Sequence, residues 1–516
     1  MKVDIIACSG ADGDVPSSIQ SGEGTSKMAR RGFGCNDSAS DRFAVTQSSG
    51  LRRAILASSS FLRNATDRLS LSAMRYLTIV TALLVAAQTS QTTPVVAPIP
   101  TFKEVSGPGP MFSGLQRLPM DEDLAHFKYI VKEYFISGTA QGQPYTTRIL
   151  VRRPADARQF SGIVLAEPMH PTGNSWMFHF LHTYVMSQGH ISLEIVTASV
   201  PLFTQANVER YKSLAIADAQ ANEILAQVGA LMKSGGSHGP LEGLPMRKMI
   251  LMGTSASATA LTAYLPAHMV YRADGMKPIF DGFLPTSIGG NGPIMKVDVP
   301  LILMPTMTEI VAEAATGNRY RRPDGDVPGD QFRIYEVAGM AHNDSRINPV
   351  YDPDPCKYPV SRFPQGLGLS AGLERLIQWI DKGKIPPHAD YVVVDNDLKN
   401  DGSVLTLDAN GNPKGGVRST YVDVPVNRYI APNEPNPTPI PNPSPLTAAA
   451  SVQLFCNIAG YEVPITRGQV QALYKSKKEY QAKVEQRANQ LIKEGWLSPA
   501  YKNLILADAM KVNLWN

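Results

Sequence analysis

From about residue 129 onward, short apolar runs alternate with longer segments whose apolar residues fall three and four apart. The first kind of run reads as a buried strand and the second as a helix packed by one face. Two β-rich runs, Tyr129 to Ile136 and Tyr145 to Val151, are separated by Gly138 and Gly142 and predict an antiparallel hairpin. Gly162 to Ala166 predicts a buried strand, Ser175 to Ser187 a helix, and His190 to Val196 another strand. Ala215 to Lys233 places Ile216, Ala219, Ile224, Val228 and Leu231 at helical spacing. Met249 to Met252 predicts a strand and Ala256 to His268 a helix. Strands over Phe280–Leu284, Val299–Met304 and Phe332–Val337, then a helix over Leu373–Asp381, complete the series. Strands alternating with helices imply a mostly parallel central sheet with helices on both faces, an α/β fold. Ligands of such sheets bind beyond the C-terminal ends of the strands.

The flanks follow other patterns. Residues 1–73, rich in Ser, Gly, Arg and Asp, show neither period and form a non-structural upstream extension in this reading. Met74-Arg75-Tyr76, the apolar stretch Leu77 to Ala87 and the small residues Val85-Ala86-Ala87 have the build of a secretory signal peptide. The alternative is a single N-terminal membrane anchor. The first reading makes the protein secreted or periplasmic, with residues 88–104 a Thr/Gln/Pro spacer and 105–430 the main domain. Seven prolines from Pro432 to Pro445 make 431–446 a stiff connector. Beyond it Val470, Leu473, Tyr474, Val484, Ala488 and Leu491 recur at helical spacing, so 447–516 is expected to pack on the main domain as a helical cover.

Composition narrows the function classes. With 43% hydrophobic and 18% charged residues the chain is globular, and a net charge of +4 over 516 residues argues against nucleic acid as a partner. No apolar run reaches the 18 or so residues of a membrane span, so stable membrane insertion is not expected. Of the four cysteines, Cys8 and Cys35 lie upstream. Cys356 and Cys456 remain as an even pair in an exported chain and predict a disulfide, the alternative being two buried thiols. Neither has a CxxC or His-rich neighbourhood, and Asp408 to Asn412 lacks calcium-loop spacing, so no metal and no cofactor are expected.

The candidate chemistry lies where a strand meets a helix. Met249 to Met252 runs into Gly253-Thr254-Ser255-Ala256-Ser257, followed by a helix, which is the context of a nucleophile elbow, G-x-S-x-G, with Ser257 in place of the second Gly. Ser255 is the candidate nucleophile. In this arrangement the chain order is Ser, acid, His. His268, His342 and His388 follow Ser255, and His342, in a Gly/Ala-rich loop after the last strand, is the candidate base. The acid falls between them: Glu309 follows the strand at Pro300–Pro305, with Glu313, Asp324, Asp326 and Asp330 as competitors. For the oxyanion hole the Ala256 N–H is the first donor, and Met169 or His170, in the loop after Ala166, the second. Trp176, Phe178, Phe180 and Tyr184 are available either to line a pocket or to fill the core.

Several segments in order resemble the alpha/beta hydrolase domain proteins, serine hydrolases of poorly defined substrate with the α/β-hydrolase fold. They are Leu165-Ala166-Glu167-Pro168, Glu209-Arg210-Tyr211-Lys212-Ser213-Leu214, the elbow, Met307-Thr308-Glu309, and Tyr335 to His342. Gly415-Gly416-Val417-Arg418 and the Cys456 segment continue the likeness, which spans roughly 105–515. The family has Gln after the nucleophile where this chain has Ala256. The resemblance implies Ser255, Glu309 and His342 at the catalytic positions. The expected protein is therefore a secreted serine hydrolase that cleaves a small or polymeric carboxylic ester. A peptidase, lactonase or acyltransferase with the same triad, or a non-catalytic binding protein, is the alternative.

Overall fold

The computed structural model describes residues 93–235, 239–289, 294–317, 321–343, 346, 355–395, 404–437 and 449–515. The stretches expected to be the upstream extension and the signal peptide, and most of the expected connector, lie outside the described residues.

A nine-stranded sheet forms the centre. Its strands are β1 (Thr101–Glu104), β2 (Tyr129–Ala140), β3 (Gln143–Pro154), β4 (Ile163–Pro168), β5 (Ile191–Ile195), β6 (Lys248–Thr254), β7 (Gly282–Thr286), β8 (Leu301–Leu303) and β9 (Phe332–Ile334). The spatial order is β1-β2-β3-β5-β4-β6-β7-β8-β9. The β1/β2, β2/β3 and β3/β5 pairs are antiparallel, and every pair from β5 to β9 is parallel. The parallel strands are covered on both faces, which is why they read as unbroken apolar runs. The chain order makes β4 a central strand, and the loops after β4, β6, β8 and β9 all emerge at one edge.

The helices divide between the faces. On one side α1 (Trp176–Ser187) and α5 (Gln365–Lys382) share a core with α7 (Lys477–Glu494) and α8 (Lys502–Lys511), so the C-terminal segment does pack on the main domain. On the other, α2 (Ala221–Lys233) and α3 (Ala256–Val270) pack through Ile224, Val228, Leu261 and Leu265. Helix α4 (Met307–Ala315) follows β8, and α6 (Ala449–Ile458) lies in the chain between the antiparallel partners β10 (Asn427–Ile430) and β11 (Tyr461–Pro464).

Three sequence expectations need correction. Thr101–Glu104, assigned to the spacer, is the edge strand β1, hydrogen-bonded to Tyr134–Ser137. The helix expected from 215 starts at Ala221, because Ala215 is spent on a backbone bridge with Thr146. The closing helix begins at Gln365, eight residues early. Gly366 and Gly372 hid its pattern, and each is required by close contact: a Cβ on Gly366 would lie 2.2 Å from the Phe180 carbonyl oxygen, and one on Gly372 would lie 2.3 Å from Met304 Sδ. Asp408 closes a turn, accepting from the Asn410 and Asn412 amides at 2.9 and 3.0 Å.

The sheet also buries charge. Arg148 joins Glu133 and Glu194, Arg152 joins Glu194, and Arg210 joins Glu133, so these fully or nearly fully buried ions are mutually compensated. Uncompensated, each would cost several kcal/mol.

Candidate active site

The turn after β6 holds Ser255 at φ 54°, ψ −125°, a region L-residues adopt at a cost of about 1–3 kcal/mol. Such a turn throws the side chain clear of the strand. It forces the backbone so close to the helix start that a Cβ on Gly253 would sit 2.6 Å from the Ser257 carbonyl oxygen. Glycine is obligatory there. Ser257 takes the second small position without difficulty: its hydroxyl accepts from the Thr254 N–H at 2.9 Å and donates to the Thr254 carbonyl at 2.8 Å, bracing the turn. The Ser255 N–H donates to Thr286 O at 3.1 Å, tying the turn to β7.

Glu309 stands in the first turn of α4, and the sequence Thr306-Met307-Thr308-Glu309 is a capping box. Glu309 Oε2 accepts from the Thr306 N–H at 2.8 Å and from its hydroxyl at 2.6 Å. This leaves Oε1 for His342, whose Nδ1 lies 2.6 Å away. A carboxylate only accepts, so Nδ1 carries a proton, and in the neutral ring the lone pair is on Nε2. Burial pushes the Glu309 carboxyl up, but the attraction to His342, which acts fully once that ring takes a proton, and the bonds from His342 and Thr306 outweigh it and hold the carboxyl below its usual range. The acid stays ionised.

The His342 loop is held at several points. Its N–H donates to Thr308 Oγ1 at 3.2 Å, and the Thr308 hydroxyl donates onward to the Ile458 carbonyl at 3.1 Å. Gln365 Nε2 donates to the Ala341 and His342 carbonyls, each at 2.7 Å. Sequence reading missed Thr306, Thr308 and Gln365 as positioning residues. The T-x-x-E signature at 306–309 was the one readable signal among them.

Ser255 and His342 line one cavity of about 190 Å³ with His170, Thr172, Trp176, Phe180, Thr254, Asn343 and Ile458. The competing pairs lie elsewhere. His268 bonds Asp298 at 2.9 Å, near the far end of α3, about 20 Å from Ser255 at 1.5 Å per residue. His388 bonds Asp324 at 2.7 Å; Asp326 pairs with Arg333, and Asp330 with Arg322 and Lys296. Neither of these histidines, nor any of these acids, lines the Ser255 cavity.

The expected oxyanion donors fare differently. Ala256 opens α3, where backbone N–H groups lack intrahelical acceptors. The Met169 N–H is spent on the Ile195 carbonyl at 2.8 Å, and the His170 N–H on the Asn174 carbonyl at 3.1 Å. The backbone of this loop is therefore not the free donor that sequence order suggested. The His170 side chain is better placed. Its Nδ1 accepts from the Thr172 N–H at 3.2 Å and contacts the Thr172 hydroxyl at 2.8 Å, so the proton sits on Nε2. Burial, with the nearby His342, pulls its pKa down to about 4, so the ring is neutral near pH 7. Of the four aromatics, Trp176 and Phe180 line the cavity and stack on each other with ring centroids 5.8 Å apart, whereas Phe178 and Tyr184 are core.

Cys356 and Cys456 form a disulfide, and Cys456 precedes the cavity residue Ile458 by two positions in α6. Among the described residues no group of three potential metal ligands stands together, and no helix is long and apolar enough to cross a membrane.

A parallel sheet entered through three antiparallel strands, with a strained serine after a central strand and a partly buried acid–histidine pair after later ones, defines an α/β-hydrolase-fold protein. The chain belongs to the alpha/beta hydrolase domain family, whose model matches residues 95–507. No curated relative matches the chain. Similar solved structures include fungal esterases from Rhizomucor miehei, at 10% identity over 49% of this chain and 86% of that one, TM-score 0.31. A thermostable esterase from Pseudomonas putida ECU1011 is 12% identical over 44% and 78%, TM-score 0.28. A putative dienelactone hydrolase from Klebsiella pneumoniae subsp. pneumoniae is 12% identical over 49% and 98%, TM-score 0.27.

Proposed function

We propose that this protein hydrolyses carboxylic esters through an acyl-enzyme. Ser255 Oγ attacks the ester carbonyl while His342 Nε2 takes its proton. Glu309 holds the imidazole and stabilises its positive charge. The alkoxide leaves with the proton from His342, and water, deprotonated by the same imidazole, releases the acid. The Ala256 N–H and the His170 Nε2–H are the donors for the oxyanion in this reading. It rests above all on one observation: the strained Ser255 shares a cavity with the one histidine of three whose acid partner also lies behind that cavity. Export is part of the proposal, supported by the composition of residues 74–87 and consistent with the disulfide.

The test is hydrolysis of p-nitrophenyl acetate and butyrate by the full chain and by Ser255→Ala. We expect the variant to lose kcat by about 10⁵–10⁶-fold. Hydrolysis retained in a folded Ser255→Ala variant would remove Ser255 as nucleophile.

A further inference from the structure

A second cavity, of about 450 Å³, adjoins the reaction cavity, and Phe180 lines both. Leu118, Pro364, Tyr501 and Leu504 make much of its wall, and the last two come from the C-terminal segment. Phe180 is contacted from both sides. The Phe180 ring stacks on Trp176 in the reaction cavity, and its carbonyl accepts from Tyr501 Oη at 3.3 Å in the second. Gln365, whose amide holds the His342 carbonyl, also lines the second cavity.

Size decides what the two spaces can hold. Ligand pockets typically measure about 300–1,000 Å³, so the reaction cavity alone is too small for more than a short ester and the second falls within that range. Most polar groups around the second cavity already have partners, and Arg117 stands at its exposed rim. Glu122 accepts from His182 at 3.0 Å and from Thr183 at 3.1 Å, and Arg346 pairs with Asp508 at 2.6 Å. Inside the rim, what remains for an occupant is mainly the apolar surface of Leu118, Phe180, Pro364 and Leu504.

We propose that the second cavity is a substrate subsite that receives a bulky apolar group of the ester, reaching past Phe180. The substrate class is then an aromatic or branched ester rather than a simple acetate, and the C-terminal segment contributes specificity. This rests on the reading of Ser255 as the nucleophile of an ester hydrolase.

The test compares methyl 2-naphthoate, bulky in its acyl part, and 2-naphthyl acetate, bulky in its alcohol part, with methyl acetate. In Leu504→Trp, kcat/KM for one naphthyl ester relative to methyl acetate should fall tenfold or more, and the ester affected identifies which half of the substrate occupies the cavity. Both ratios staying within twofold of wild type would overturn the subsite. Should Leu504→Trp fail to fold, Pro119→Trp at the exposed rim takes its place with the same expectation. Calorimetry on Ser255→Ala separates the two readings: the ester affected should bind, and more weakly by tenfold or more once Leu504→Trp is added. If wild type cleaves none of the three esters the hydrolase reading falls. The binding arm still decides the subsite, since failure of both naphthyl esters to bind Ser255→Ala would refute it.

Discussion

Burial pushes the Glu167 carboxyl up to about 8, with Glu194 adding to the rise, while bonds from the Met177 and Phe178 amides at the start of α1 pull the other way. Its ordinary value is 4.5, so between about 4.5 and 8 the folded state keeps a proton that the unfolded state releases. Stability therefore falls as pH rises through that window. From pH 6.5 to 8 wild type should lose on the order of 2 kcal/mol more than Glu167→Gln, as measured by denaturant unfolding; parallel pH profiles would contradict the assignment. His170 gives a kinetic counterpart. His170→Ala should lower kcat by about 10²–10³-fold, the cost of one oxyanion donor. Because the ring is neutral well above its pKa of about 4, the loss should be constant from pH 6 to 8. A loss confined to KM would assign His170 to substrate binding instead. At this scale the meeting of Ser255, Glu309 and His342 in the fold was readable because each follows a strand in the order Ser, acid, His. The spent amides were not: the Met169 N–H bonds Ile195, 26 residues away, which leaves no local mark, and the His170 N–H closes a turn onto Asn174.

Among the elements, the junction of α1 and α5 is the tightest constraint on the site. Gly366 lets α5 approach the Phe180 carbonyl, and Gln365 beside it reaches the His342 loop. Gly366→Ala would force the helices apart and should destabilise the fold by about 1–3 kcal/mol. Unfolding midpoints of the two proteins check it, and an unchanged midpoint would mean the junction yields freely. The same junction shows why helix boundaries were the weakest part of the sequence reading. The residues that let helices touch are small, so the closest contact looks like a break in the pattern. Strand β1 escaped for the opposite reason: an exposed edge strand of four residues, Thr-Phe-Lys-Glu, carries one apolar side chain and no visible alternation. The parallel strands, buried on both faces, were legible to within three residues at each end.

Across the whole molecule, the Cys356–Cys456 bond spans 100 residues and ties α6, hence Ile458 and Thr308, to the wall of the reaction cavity. A closed loop of that length should add about 2–4 kcal/mol, so the Cys356→Ser/Cys456→Ser pair should unfold at correspondingly lower denaturant. An unchanged unfolding free energy would show that packing alone holds α6. The C-terminal cover was legible as an amphipathic segment. Its part in lining a cavity was not, because Tyr501 and Phe180 are 321 residues apart and meet only in the fold. The proposed chemistry stands on Ser255 being an activated nucleophile. Its most direct test is labelling of the full chain by a fluorophosphonate probe, with the modified peptide sequenced by mass spectrometry. We predict one adduct, on Ser255, formed within minutes and absent from Ser255→Ala and strongly slowed in His342→Ala. No adduct on the folded wild-type protein, or an adduct on another serine, would contradict it.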